Sequence, residues 1–195
     1  MKKQQKANLI MVLIIAVIAA IGVFAAIQLL KPEEIPFGTE YKITQIPDNY
    51  LEAEGESKAT CTITIRCDTI FDNADKLERS KIPYVPEDGE ILPVTTVEFT
   101  PGETVFDVLN RVCKTAGLQI EYSWTPMYDS YYIEGINHLY EFDCGFESGW
   151  MYKVNGWFPN YGCSAYELQG GEEIVWCYTC TGLGTDVGAE REDLK

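Results

Sequence analysis

At 195 residues the chain has room for one domain, or for one domain and an anchor. Its formal net charge of −15 argues against nucleic acid and anionic lipid as partners, because a surface of that sign repels both. The charge is uneven: Lys2, Lys3 and Lys6 precede an uncharged run, and all 30 acidic residues come after it.

From Leu9 to Leu30 the side chains are apolar except Gln28. Twenty-two residues of helix would span about 33 Å, enough for a hydrocarbon core of about 30 Å. The expectation is a transmembrane helix over 9–30, with residues 1–8 as a cytoplasmic tail because the basic start favours the inner side. A cleaved signal peptide is the alternative, since Ala19-Ala20 and Ala25-Ala26 offer small residues. Everything from Lys31 onward then lies outside. Residues 31–59, with three prolines and many acids, read as a stalk.

The folded part is expected to begin at Thr60. In ATCTITIRC, Cys61, Ile63, Ile65 and Cys67 share one face of a strand. DTIFDNADKLERSK reads as a short helix or turn, and KIPYVPEDGEILP as a loop. VTTVEFT, 94–100, is a second strand. The clearest helix follows in PGETVFDVLNRVCKTAG. Thr104 caps it, Asp107 completes a capping-box-like pair, and Val105, Val108, Leu109, Val112 and Ala116 form the apolar stripe. Gly117 stands where a left-handed residue ends a helix. LQIEYSW, 118–124, alternates as a strand.

After a Tyr-rich segment, Asn155-Gly156 predicts a two-residue type I′ hairpin turn. It pairs Val154 with Trp157 and Tyr152 with Pro159, placing Trp150, Tyr152 and Val154 on one face. EEIVWCYTC is the last strand, and residues 182–195 read as a frayed polar tail. This order predicts an α+β domain over 60–181, with one main helix covering one face of a mixed sheet.

Seven cysteines, Cys61, Cys67, Cys113, Cys144, Cys163, Cys177 and Cys180, all follow the apolar run. An outside location permits disulfides, and an odd count leaves at least one thiol free. Cys144 with Cys163, flanking the hairpin, is the pairing considered, with Cys177 left unpaired. Cys177 and Cys180 form a C-x-x-C, but no second such pair accompanies it and the chain has one histidine, which gives little support to a zinc site.

Catalytic motifs are weak. Every Ser-His or Cys-His proposal depends on His138, and GFESG at 145–149 is not a nucleophile elbow. Asp68, Asp72, Asn73 and Asp75 lack the glycine and distal glutamate of an EF-hand loop. The aromatic residues of 122–178 carry the remaining signal. Packing accounts for about half of them, but Trp157, Phe158 and Tyr161 lie beside Pro159, Asn160 and Gly162, where regular pairing ends. Exposed rings beside free backbone amides suit a flat ligand with polar edges.

SGWMYKVNGWFPNYGCSAYELQGGEEIVWCYT resembles the transcobalamin-like C-terminal domain of bacterial exported proteins, whose animal members belong to the cobalamin carriers. Gly162 to Tyr166 fits the family's G-x-x-x-Y loop, and Gly170-Gly171-Glu172 stands in its second turn. The resemblance implies a β-grasp-like fold and a corrinoid as ligand, met by Asn160, Tyr161, Gly162 and Cys163 with Trp157 nearby. The carriers complete their site with a large helical domain, which this chain lacks, so the implied site is half of one. The combined expectation is a membrane-anchored, outward-facing binding protein, not an enzyme, requiring no cofactor or metal. It would take a corrinoid or work with a second surface protein. The competing expectation is a protein-protein or cell-wall interaction module.

Overall fold

A computed structural model of the chain describes Phe37 and residues 58–190. The segment Leu9–Leu30 lies outside the described residues; among those described, no helix is long and apolar enough to cross a membrane. Within the stretch read as a stalk, the Phe37 ring meets Phe71 edge-on, 5.4 Å between centroids.

The fold is mixed α+β. Strand β1 (Ala59–Arg66) runs antiparallel to β2 (Glu90–Phe99) and parallel to β7 (Glu173–Thr179), and β7 pairs antiparallel with β6 (Gly149–Val154). The order β2-β1-β7-β6 leaves β2 and β6 as edges. A separate antiparallel sheet holds β3 (Ile120–Thr125), β4 (Ser130–Ile136) and the short β5 (Leu139–Tyr140). The single mixed sheet expected from sequence is therefore two sheets, and the Tyr-rich segment supplies two strands of the second. β2 also starts earlier than expected, at Glu90. Its Pro93 is tolerated because β2 is an edge, and the register shifts between the Ile63–Thr95 and Ile65–Leu92 pairs.

Among the described residues the one α-helix, α1 (Val105–Ala116), forms for the local reasons read from sequence. The Thr104 hydroxyl accepts from the Asp107 N–H at 3.3 Å, and the Asp107 carboxylate accepts from the Thr104 N–H at 2.8 Å. Gly117 closes the helix at φ 70°. Val105, Val108, Leu109 and Val112 are buried as expected; Phe106 and Cys113 widen the stripe.

Two short 3-10 helices, Asp68–Asn73 and Arg79–Tyr84, connect β1 to β2. The core packs α1 against residues of both sheets, among them Ile63, Ile65, Val97, Phe99, Ile133, Trp150, Ile174 and Trp176. Residues 182–190 are not a frayed tail. They form a 3-10 turn (Gly182–Val187) in which Asp186 accepts from the N–H of Cys180 at 2.7 Å and of Thr181 at 3.1 Å, and Ala189 is buried.

All seven cysteines are free and buried, so the Cys144–Cys163 pairing is not present. The two thiols point to different partners. Cys163 donates to the Tyr131 carbonyl in β4 and Cys144 to the Asn73 carbonyl, each at 3.4 Å.

Candidate functional site

The Asn155-Gly156 turn is present, with both residues at positive φ, 51° and 80°, and Val154 and Trp157 exchange both backbone bonds at 2.8 and 3.0 Å. This is the type I′ geometry that the sequence demands. Pairing stops there. Tyr152 does not oppose Pro159; it lies opposite Trp176, because β6 takes β7 as its only partner. Pro159 lacks the N–H that a continuing ladder needs, and the chain leaves the ribbon as an irregular loop.

That loop is clamped in place. The Tyr152 hydroxyl donates to the Tyr161 carbonyl at 2.8 Å. The Ser164 N–H donates to Ser130 Oγ, and the Tyr131 N–H donates to Ser164 Oγ, both at 3.1 Å. Gly162 permits this close approach: a Cβ there would lie 2.0 Å from Ser130 Oγ. Behind the contact, Phe106 of α1 stacks on Tyr131 at 4.3 Å, and Tyr122 and Trp124 meet Tyr131 edge-on.

The loop, β6 and β4 enclose two adjoining clefts of about 200 and 210 Å³. The first is floored by Trp150, Met151, Tyr152 and Trp176 and walled by Tyr131, Tyr132, Ile133, Phe158, Pro159, Gly162 and Cys163. The second runs along Thr125, Tyr128, Ser130, Tyr131 and Tyr132 on one side and Pro159 to Gly162 on the other. Two strand edges bound the first cleft. β6 ends its sheet, and β5 covers β4 only at Gly135 and Ile136, leaving Tyr131–Ile133 without a strand on that side. Tyr131 uses its outward N–H and C=O on Ser164 and Cys163. Ile133, two residues on, aims its peptide groups the same way.

Of the six residues predicted from sequence, five line these clefts: Phe158, Gly162 and Cys163 the first, Asn160, Tyr161 and again Gly162 the second. Trp157 lines neither; it is 46% exposed beside Tyr161, 6.2 Å between centroids, and Tyr161 is 41% exposed. Phe158 corrects the expectation of an exposed ring. At 3% exposure it packs with Met151, Cys177, Val187 and Ala189, under the Lys153 ammonium. Burial pushes the Cys163 thiol up to about 12, so it is a protonated wall of the cleft and not a nucleophile.

Sequence reasoning missed the opposite wall, Ser130–Ile133. Its signal was present: a tyrosine-rich run of strand formers, bracketed by Pro126 and Asp129 before it and by Gly135 and Asn137 after it. Trp176 lies in the core. Its indole N–H is one of two buried side-chain polar groups without a protein partner among the described residues, a cost that a water or ligand acceptor would offset.

A family model described as a domain of unknown function, DUF4430, matches residues 102–180, from the approach to α1 to the end of β7. No curated protein matches the chain. Among solved structures, the chain is similar to haptocorrin in complex with Cbi, at 14% identity and a TM-score of 0.46, over 66% of this chain and 27% of that one. It is also similar to a candidate metal-binding protein from Ruminococcus gnavus ATCC 29149, at 12% identity and a TM-score of 0.39, over 64% of this chain and 99% of that one. The chain thus spans about a quarter of the haptocorrin chain, and the DUF4430 match falls within the 60–181 span expected from sequence to be the domain.

Proposed function

We propose that the chain is a membrane-anchored extracellular binding protein that docks a flat, polar-edged molecule, with a corrinoid as the leading ligand. The observation that carries this reading is the aromatic cleft between two strand edges. Tyr132 and Tyr161 offer part-exposed rings along the clefts, Trp157 stands beside Tyr161, and the backbone of β4 and of the 159–162 loop offers hydrogen-bonding groups. The corrinoid assignment rests on the sequence resemblance around residues 149–180. The parallel pairing of the first and last strands, with α1 between them in sequence, supports the β-grasp-like reading that goes with it.

Size sets the mode of binding. Each cleft is below the roughly 300–1,000 Å³ of a site that engulfs its ligand. A macrocycle would lie across the clefts and bury one face. A one-sided contact leaves little surplus over the cost of association, so affinity should be weak until a second surface protein covers the other face. In this reading Leu9–Leu30 anchors the chain with the acidic domain outside, and no step of chemistry is assigned to it.

A protein-docking module is the second reading. Phe142 and Phe146, 60% and 84% exposed, favour it because they line neither cleft. Tryptophan fluorescence separates the two, since Trp150 and Trp176 floor the first cleft. Titrating the full-length chain with cobalamin should quench emission saturably in the micromolar range. A flat response through high micromolar ligand would remove the corrinoid and leave the docking module.

A further inference from the structure

We propose that Cys144 and Cys180 form a disulfide when the chain meets an oxidising partner, stapling the base of the candidate site. All seven thiols are free in the structure. These two differ from the rest in that the fold sets both sulfurs against one 3-10 helix, Asp68–Asn73, and each perturbs the titration of the other. Independent contacts bring them together. The last pair of the β6–β7 ladder, Gly149 with Thr179, sets the chain entering β6 beside the chain leaving β7. The Cys144 N–H donates to Ser148 Oγ at 3.0 Å, and the Cys180 N–H donates to Asp186 at 2.7 Å. Both sulfurs then meet the same 3-10 helix: Cys144 donates to the Asn73 carbonyl at 3.4 Å, and Cys180 lies 3.6 Å from Thr69 Oγ1. Cys163 and Cys177 are instead held on the backbone carbonyls of Tyr131 and Met151.

The pair is chemically asymmetric. The hydrogen bond from Cys180 holds the Cys144 thiol below its ordinary range against the effect of burial, and the same bond, with burial, pushes Cys180 up. With Cys144 deprotonated first, exchange proceeds in two steps. Cys144 attacks a sulfur of an incoming disulfide, such as oxidised glutathione or the disulfide of an oxidoreductase, and expels one thiolate. Cys180 gives up its proton and attacks Cys144 in the mixed disulfide, expelling the second. Two protein thiols are oxidised and one external disulfide is reduced to two thiols. Both cysteines are buried, so the external disulfide reaches them through local opening of the Cys144–Ser148 turn. The closed loop contains β6, the hairpin turn, the 157–163 loop and β7.

The test is thiol mapping on the full-length chain equilibrated with oxidised and reduced glutathione, then alkylated without reduction. Five of the seven thiols should alkylate. Tryptic peptide 115–153, whose one cysteine is Cys144, should be linked to peptide 154–191, with loss of two hydrogens. The second peptide also holds Cys163 and Cys177, so Cys163→Ser and Cys177→Ser should keep the link, whereas Cys144→Ser and Cys180→Ser should lose it. The oxidised chain should melt about 10 °C above the reduced one. Alkylation of all seven thiols after oxidation, or a link through Cys163 or Cys177, would overturn the proposal. On the unsubstituted chain, fragmentation of the linked peptides by tandem mass spectrometry locates the second cysteine, and this decides the matter even where a serine variant fails to fold.

Discussion

A methyl group on Gly162 would lie 2.0 Å from Ser130 Oγ and 2.1 Å from Ser130 Cβ. The second contact cannot be relieved by rotating a flexible side-chain tip, so the 161–164 loop would have to leave β4. Gly162→Ala should therefore cost about 1–3 kcal/mol in a denaturant titration, and Ser130→Gly in that background should recover part of the loss. Trp157 and Tyr161 make the opposite demand. They are exposed, so their alanine variants should shift stability by no more than about 0.5 kcal/mol while weakening ligand binding. At this scale the sequence was informative about which residues belong near the site, because proline, asparagine and glycine mark the end of pairing. It was less informative about exposure: nothing in the pattern distinguishes Phe158, turned under the sheet edge, from Trp157 beside it.

The elements that were legible are those specified by neighbours in the chain. Thr104, Asp107 and Gly117 fix the ends of α1, and Asn155-Gly156 fixes the turn, all through contacts within a few residues. Strand pairing is where the reading failed. That β6 pairs with β7 beyond the turn depends on segments far apart in sequence, whereas β3 pairs with β4 across a short turn at 126–129, a local hairpin that the reading passed over. The junction of β1 with the first 3-10 helix makes a pH-dependent prediction. Burial raises the Asp68 carboxyl, but the hydrogen bond and charge of Arg66 outweigh it and hold the group below its ordinary range. A carboxyl lowered in the folded state adds stability above its unfolded pKa of about 3.9, and that stability is lost as pH falls through the folded value. Asp68→Asn should lower stability in a urea titration at pH 7 by less than about 1 kcal/mol because the pair is part-exposed, and the difference from the parent should shrink as pH falls below about 3.9.

For the whole molecule, the cleft exists only because two sheets stand edge to edge with a loop pinned between them. No single stretch of sequence encodes that arrangement, which is why one wall was predicted and the other was not. The resulting surface is one-sided, rimmed by rings and set on an acidic domain, and the proposed docking role rests on that combination. Equilibrium dialysis of cobalamin against the full-length chain and against its Tyr132→Ala/Tyr161→Ala variant tests that role most directly. Both rings are over a third exposed, so the variant should remain folded by its melting curve. The parent should bind saturably at micromolar ligand and the variant at least about ten-fold more weakly, a loss of about 1.4 kcal/mol. Equal binding by parent and variant, or none by the parent, would contradict the account.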